Sequence, residues 1–198
     1  MMNLKVQKRK GIGNVITTLI ILIASVVLGA GVIFFGGSLF STNSQQDSVQ
    51  VTNTNLWYNS TTQGGTNYYE GAFVVQNTGS TIVPISSVTV RGITVPQSSW
   101  YFNTAQATQS NTQAALNFAT GLYLPSVNPA TATITLKSGA ATFTQASGPI
   151  SLKPGGIAIV YLYNPASLTA LDTGNQLTMN LQAGKATAVQ SISVQGIN

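Results

Sequence analysis

Few of the 198 residues are equipped to do chemistry. The chain has no histidine and no cysteine, which removes the side chain that titrates near neutral pH, the thiolate nucleophile, the disulfide and the soft-metal ligands together. Three acids remain, Asp47, Glu70 and Asp172, isolated from one another in sequence. Only folding can bring Glu70 and Asp172 together as a carboxylate pair, and no such pair is expected. No glycine-rich loop joins a strand to a soluble helix carrying a lysine, so phosphate binding has no support. The expectation is a protein that is not an enzyme, with no catalytic residue, no metal and no cofactor.

The aromatic residues Trp57, Tyr58, Tyr68, Tyr69, Trp100 and Tyr101 admit two readings. They can form a platform that stacks on sugar rings, or they can pack across strands and between subunits; the second is the commoner use of aromatic pairs on strands and is favoured. Asn59-Ser60-Thr61 is the single N-glycosylation sequon, which makes Asn59 a candidate surface position.

The net charge of +5 suggests an anionic partner until the positions are read. Four of the eight cations are Lys5, Lys8, Arg9 and Lys10; the rest, Arg91, Lys137, Lys153 and Lys185, are scattered against three acids, so residues 12–198 sum to 4 − 3 = +1. No basic patch fit for nucleic acid is left. Only 6% of residues are charged, against about 25% in typical soluble domains, and Thr, Ser, Asn and Gln take their place. Such a surface barely titrates, which suits exposure to acid or high ionic strength and is shared by ordinary secreted β-domains.

The element that dominates the sequence is apolar. Residues 11–46 carry no charge, and residues 15–40 are mostly Ile, Leu, Val, Ala, Phe and Gly. As a helix these 26 residues reach about 39 Å, more than the ~30 Å of a hydrocarbon core and longer than the apolar run of a secretory signal, usually about 7–15 residues. The cluster Lys8-Arg9-Lys10 precedes the run and nothing comparable follows it, so the N-terminus is expected in the cytoplasm and the remainder outside.

Lys8-Arg9-Lys10-Gly11 followed by Ile12-Gly13 resembles the class III leader site of archaeal pilins and archaellins, and Thr17-Thr18-Leu19-Ile20-Ile21-Leu22-Ile23-Ala24-Ser25-Val26-Val27 resembles the helix of that family. The resemblance covers residues 8–40, about one sixth of the chain. It implies that a membrane peptidase cuts at the junction marked by Lys10, Gly11 and Ile12 and leaves the helix on the mature protein. Bacterial type IV pilins carry a glutamate at the fifth mature position, where this chain has Ile16; the departure points to the archaeal group. Gly29, Gly31, Gly36 and Gly37 permit close approach of helix backbones at some cost in helicity and are read as packing positions.

Beyond the helix the composition turns polar. Ser41-Thr42-Asn43-Ser44-Gln45-Gln46 reads as an exit segment, and period-two alternation follows: Ala132, Ile134 and Leu136 share one face, and Leu177, Met179 and Leu181 another. Residues 157–163 are apolar on both faces, as in a central strand, after the turn signal Lys153-Pro154-Gly155-Gly156. With residues 49–54, 71–77 and 189–194, and with 88–95 bent or bulged at Gly92, about seven strands are expected. Residues 100–129, which include Asn117-Phe118 and Leu122-Tyr123-Leu124, break the rhythm. They read as a solvated insertion, with a variable outer face that meets surfaces or other cells as the functional alternative. Val75-Gln76-Asn77-Thr78-Gly79-Ser80 and Leu152-Lys153-Pro154-Gly155-Gly156 also look like elements of archaeal pilin heads.

The expected fold is therefore α+β: a leader at 1–11, a hydrophobic transmembrane and polymerisation helix at 12–44, and an extracellular, immunoglobulin-like β-sandwich head at 45–198. The resemblance implies a subunit of a pilus-like homopolymer, held in the cytoplasmic membrane before assembly, handled by a prepilin peptidase and pilus machinery, and used for adhesion. The alternatives are an archaellin and a single-pass, surface-anchored carbohydrate-binding domain.

Overall fold

The computed structural model describes residues 7–44, 47–63, 66–105, 107–119, 130–165 and 168–197. The chain divides into two compact units that meet in sequence between Gln45 and Gln46.

The first unit is the helix α1, Gln7–Ser44. It starts before the Lys10-Gly11-Ile12 junction and passes through it without a break, and it takes in Ser41-Thr42-Asn43-Ser44, which the polar composition had suggested as an exit segment. Residues 1–6 of the expected leader and residues 45–46 lie outside the described residues.

Among the described residues the second unit has eleven strands: β1 Val49–Gln63, β2 Thr66–Asn77, β3 Val83–Val90, β4 Ile93–Thr94, β5 Trp100–Asn103, β6 Thr131–Leu136, β7 Gly139–Gln145, β8 Ile150–Leu152, β9 Ile157–Tyr163, β10 Gln176–Ala183 and β11 Ala186–Ile197. A five-residue helix, α2, spans Gln109–Gln113. The strands join in the order β4-β3-β10-β11-β1-β2-β9-β5-β7-β6, with β8 also on β3. Every pairing is antiparallel except β1 with β11.

Two cores form on the two faces of the β1-β2-β9-β5 layer. On one face Leu56, Phe73, Val75, Trp100, Val160 and Leu162 pack with Val88, Met179, Leu181, Ile192 and Val194 from β3, β10 and β11, which makes a sandwich. On the other, Trp57, Val74, Tyr101, Ile159 and Tyr161 are covered by Ile134, Leu136 and Phe143 of the β6–β7 hairpin and by Leu116 and Ala119. The alternation of β9 follows: its residues feed one core and then the other, so the run reads as apolar throughout. Each fully buried Val, Leu, Ile or Phe contributes about 1.5–3 kcal/mol relative to exposure.

Two expectations are corrected. The parity change around Gly92 is a two-residue hairpin turn: Arg91 (φ 52°) and Gly92 (φ 78°) are both left-handed, as a type I′ turn requires, and Val90 pairs with Ile93. The extra residue of a true bulge sits instead in β1, where Thr52 opposes Val74 but Asn55 opposes Ala72 and Asn53 has φ 49°. Residues 100–119 are not a solvated insertion. They begin with β5, paired to both β7 and β9, and end with Leu116 and Ala119 buried in the second core. Leu122-Tyr123-Leu124 lies outside the described residues.

Candidate functional site

The helix α1 is a chemically distinct surface. From Ile12–Leu39 it has 28 residues with a mean hydropathy of 2.7, about 42 Å at 1.5 Å per residue. Its large side chains are exposed all round, from 53% at Ile16 to 81% at Phe34. Three of its hydroxyls are satisfied within the helix. The hydroxyls of Thr17, Thr18 and Ser25 donate to the carbonyls of Gly13 (2.9 Å), Asn14 (2.8 Å) and Ile21 (2.8 Å), so entering an apolar medium strands none of these hydroxyl protons. A Cβ added at Gly29, Gly31, Gly36 or Gly37 meets nothing within 4 Å. The four glycines are open backbone, and Gly29 and Gly36, seven residues apart, share a face.

In the head the three acids are separately employed. Asp47, three residues past the end of α1, accepts from the Thr81 hydroxyl (2.7 Å) and the Lys185 backbone N–H (2.9 Å). These two bonds, the hydroxyl first, hold its carboxyl below the usual range. Asp172 accepts from the hydroxyl and backbone N–H of Thr169, both at 2.8 Å, and from Arg91 at 2.9 and 3.0 Å. The Thr169 hydroxyl leads in lowering its pKa, with the backbone bond and the Arg91 charge also lowering it and burial opposing them. Glu70 is fully buried on the opposite side of β2 from Tyr69, and its Oε1 accepts from the Ala119 N–H at 2.7 Å. Burial pushes its carboxyl well above the ordinary value, the Ala119 bond opposing. Glu70 and Asp172 thus have different partners and do not form the carboxylate pair.

The aromatic residues are packing residues. Trp100 and Tyr101 are fully buried, Tyr68 and Trp57 nearly so, and Tyr58 stacks on its cross-strand neighbour Tyr69 with centroids 5.4 Å apart. Asn59 is corrected as well: it lies in β1 opposite Tyr68 and Ile197 and is only 6% exposed, so it is not the surface position that its sequon suggested.

Sequence reasoning missed how two of its own motifs meet. The buried side chain of Asn77 donates to the carbonyls of Thr81 (2.7 Å) and Leu152 (2.9 Å) and accepts from the Gly79 N–H (2.9 Å). Its backbone bonds Gly155 and Gly156, both at 2.9 Å. Asn77-Thr78-Gly79 and Lys153-Pro154-Gly155-Gly156 therefore form one joint beside Asp47, whose partner Thr81 belongs to the same loop. An asparagine before Ser/Thr-Gly is a turn signal, but its distant partners are set by topology.

A helix with an uncharged, exposed, apolar stretch of 28 residues, joined to a β-rich head with two cores of its own, defines the protein's class. Compared with known protein families and with curated proteins, the chain matches no family model and no curated sequence.

Proposed function

We propose that this chain is the subunit of an extracellular, type IV pilin-like filament that assembles through α1. The observation that carries the reading is the 28-residue helix of mean hydropathy 2.7 whose surface is apolar on every side. Such a surface is stable only in lipid or among like helices. The precursor sits in the cytoplasmic membrane with its basic end inside, is cut after Gly11, and exchanges bilayer for a bundle of neighbouring helices. Open glycine backbone at Gly29, Gly31, Gly36 and Gly37 supports close approach in that bundle. The contact is heterologous, each subunit meeting different faces of its neighbours, because that geometry propagates an open helix. Heads sheathe the bundle and meet surfaces or other cells.

Mass spectrometry of surface filaments tests this reading. A subunit chain beginning at Ile12 supports it; recovery of a full-length, monomeric membrane protein alone would favour a single-pass anchor. Replacing Gly29 and Gly31 by Leu is expected to impair assembly while leaving head folding unchanged.

A further inference from the structure

Residues 107–119 cover the second core without joining the strand ladder. Side-chain bonds hold them down. Asn53 Nδ2 donates to the carbonyls of Thr112 and Ala114, Asn111 exchanges bonds with Ser138 at 2.8 and 3.1 Å, the Tyr161 hydroxyl donates to the Asn117 carbonyl at 2.9 Å, and the Ala119 N–H donates to Glu70 at 2.7 Å. Phe118 packs on Trp57 and Tyr68, with ring centroids 6.1 and 5.4 Å away.

Glu70 is the odd member of this set. Its Oε2 is buried without a hydrogen-bond partner among the described residues. Its cross-strand neighbours are Trp57 on β1 and Tyr163 on β9. Tyr68 lies two residues along on the same face of β2, Tyr161 on β9 and Tyr101 on β5 line the same core layer, and Asn117, Phe118 and Ala119 close it from above. Among the described residues, the titratable groups facing it from these elements are all tyrosines, whose ordinary titration is near 10. Among the described residues the only ion pair, Arg91 with Asp172, involves neither Glu70 nor its neighbours in this core. An ionised carboxylate here would be desolvated and uncompensated.

We propose that Glu70 is a pH-sensitive latch: as a neutral acid it clamps residues 107–119 onto the central sheet, and its ionisation releases them. The closed head requires the protonated form, whereas opening returns the carboxyl to water and to its ordinary acidity. The opening equilibrium then rises up to tenfold per pH unit from about 4.5 until the closed form itself ionises, and levels off. Acid closes the cover and rising pH loosens it, exposing Trp57, Tyr68 and Leu116.

Hydrogen–deuterium exchange on the full-length protein in detergent micelles tests the latch, with rates corrected for the intrinsic pH dependence of exchange. Between pH 4 and 8 the wild type should lose at least tenfold in protection of the 107–119 amides, while β10 and β11 amides hold steady. Glu70→Gln keeps an oxygen for the Ala119 N–H but cannot ionise, so its protection should not change with pH. Tyr161→Phe should lower protection by a constant factor at every pH and keep the wild-type slope. Wild-type protection that does not change with pH, a slope retained in Glu70→Gln, or loss in β10 and β11 parallel to that of the cover would overturn the proposal.

Discussion

The two units of this chain treat apolar residues in opposite ways. In the head, aliphatic and aromatic side chains disappear on both faces of the β1-β2-β9-β5 layer, and even the three-residue β8 contributes Ile150 and Leu152 to a core. In α1, Ile, Leu, Val and Phe stay more than half exposed over seven turns. A head that closes on itself and a helix whose large side chains stay exposed teach where the unsatisfied free energy lies. The head can fold around its own cores; the helix needs a medium. Assembly is therefore expected to respond to changes in α1 that the head does not feel, and head stability to changes that leave α1 untouched.

The largest break in this contrast is a charge in the helix. Val26→Lys, near the centre of the apolar run, is expected to cost about 3 kcal/mol of membrane insertion and to abolish recovery from membranes and filaments. The melting temperature of the head, followed through Trp57 and Trp100, should stay unchanged. If it fell with the membrane fraction, the units would not be independent.

The same contrast explains how much was legible beforehand. The helix is written in composition: an uncharged run needs no partner to be recognised. Alternation located β6 and β10, which present one whole face to a core, and an unbroken apolar run after a turn signal located β9, which feeds both. Such patterns fail where burial comes from topology. Leu116 and Ala119 follow no period, and they are buried only because β5 carries the chain to the sheet they cover. The sequon marks Asn59 as a surface position, but the residue follows a bulge at Asn53 that resets which side chains face inward. The hydrogen bond that makes Glu70 unusual joins residues 49 positions apart, and no local pattern contains it.

From the other side, Gly71→Val should damage only the head. Gly71 lies between Leu56 and Leu162 across three strands, and an added Cβ would meet Leu56 at 3.0 Å and Leu162 at 3.3 Å. Overpacking of this kind costs about 1–3 kcal/mol, so thermal unfolding should fall by several degrees while membrane insertion through α1 is kept. A variant as stable as wild type would mean that the two leucines move apart freely.

A pH series sharpens the comparison within the head. Asp47 and Asp172 have folded pKa values below the usual one, so the stability they add is present above about pH 3.8 and is lost as pH falls through their folded values. Glu70, raised, works in the reverse sense, and its contribution is complete below pH 4.5 and declines above it. The melting temperature of the full chain in micelles should therefore peak in mild acid. Asp47→Asn and Asp172→Asn should each flatten the acid limb, and Glu70→Gln the limb above pH 4.5. A single variant that flattened both limbs would contradict this division of labour.

The smallest expected effect lies where the helix gives way to the head. Gly184 stands at φ 58° in the turn between β10 and β11, and a Cβ there would come within 2.5 Å of Asp47 Oδ2. Alanine at such a φ costs about 1 kcal/mol from the backbone alone, and it also presses on the carboxylate that holds the Lys185 N–H. Gly184→Ala and Asp47→Asn should consequently not add: once the carboxylate and its bonds are altered, the methyl group has less left to disturb. A double-mutant cycle on thermal stability measures the coupling. Strict additivity would show that the turn and Asp47 act separately, and the first residues of the head would then be held by the Thr81 side alone.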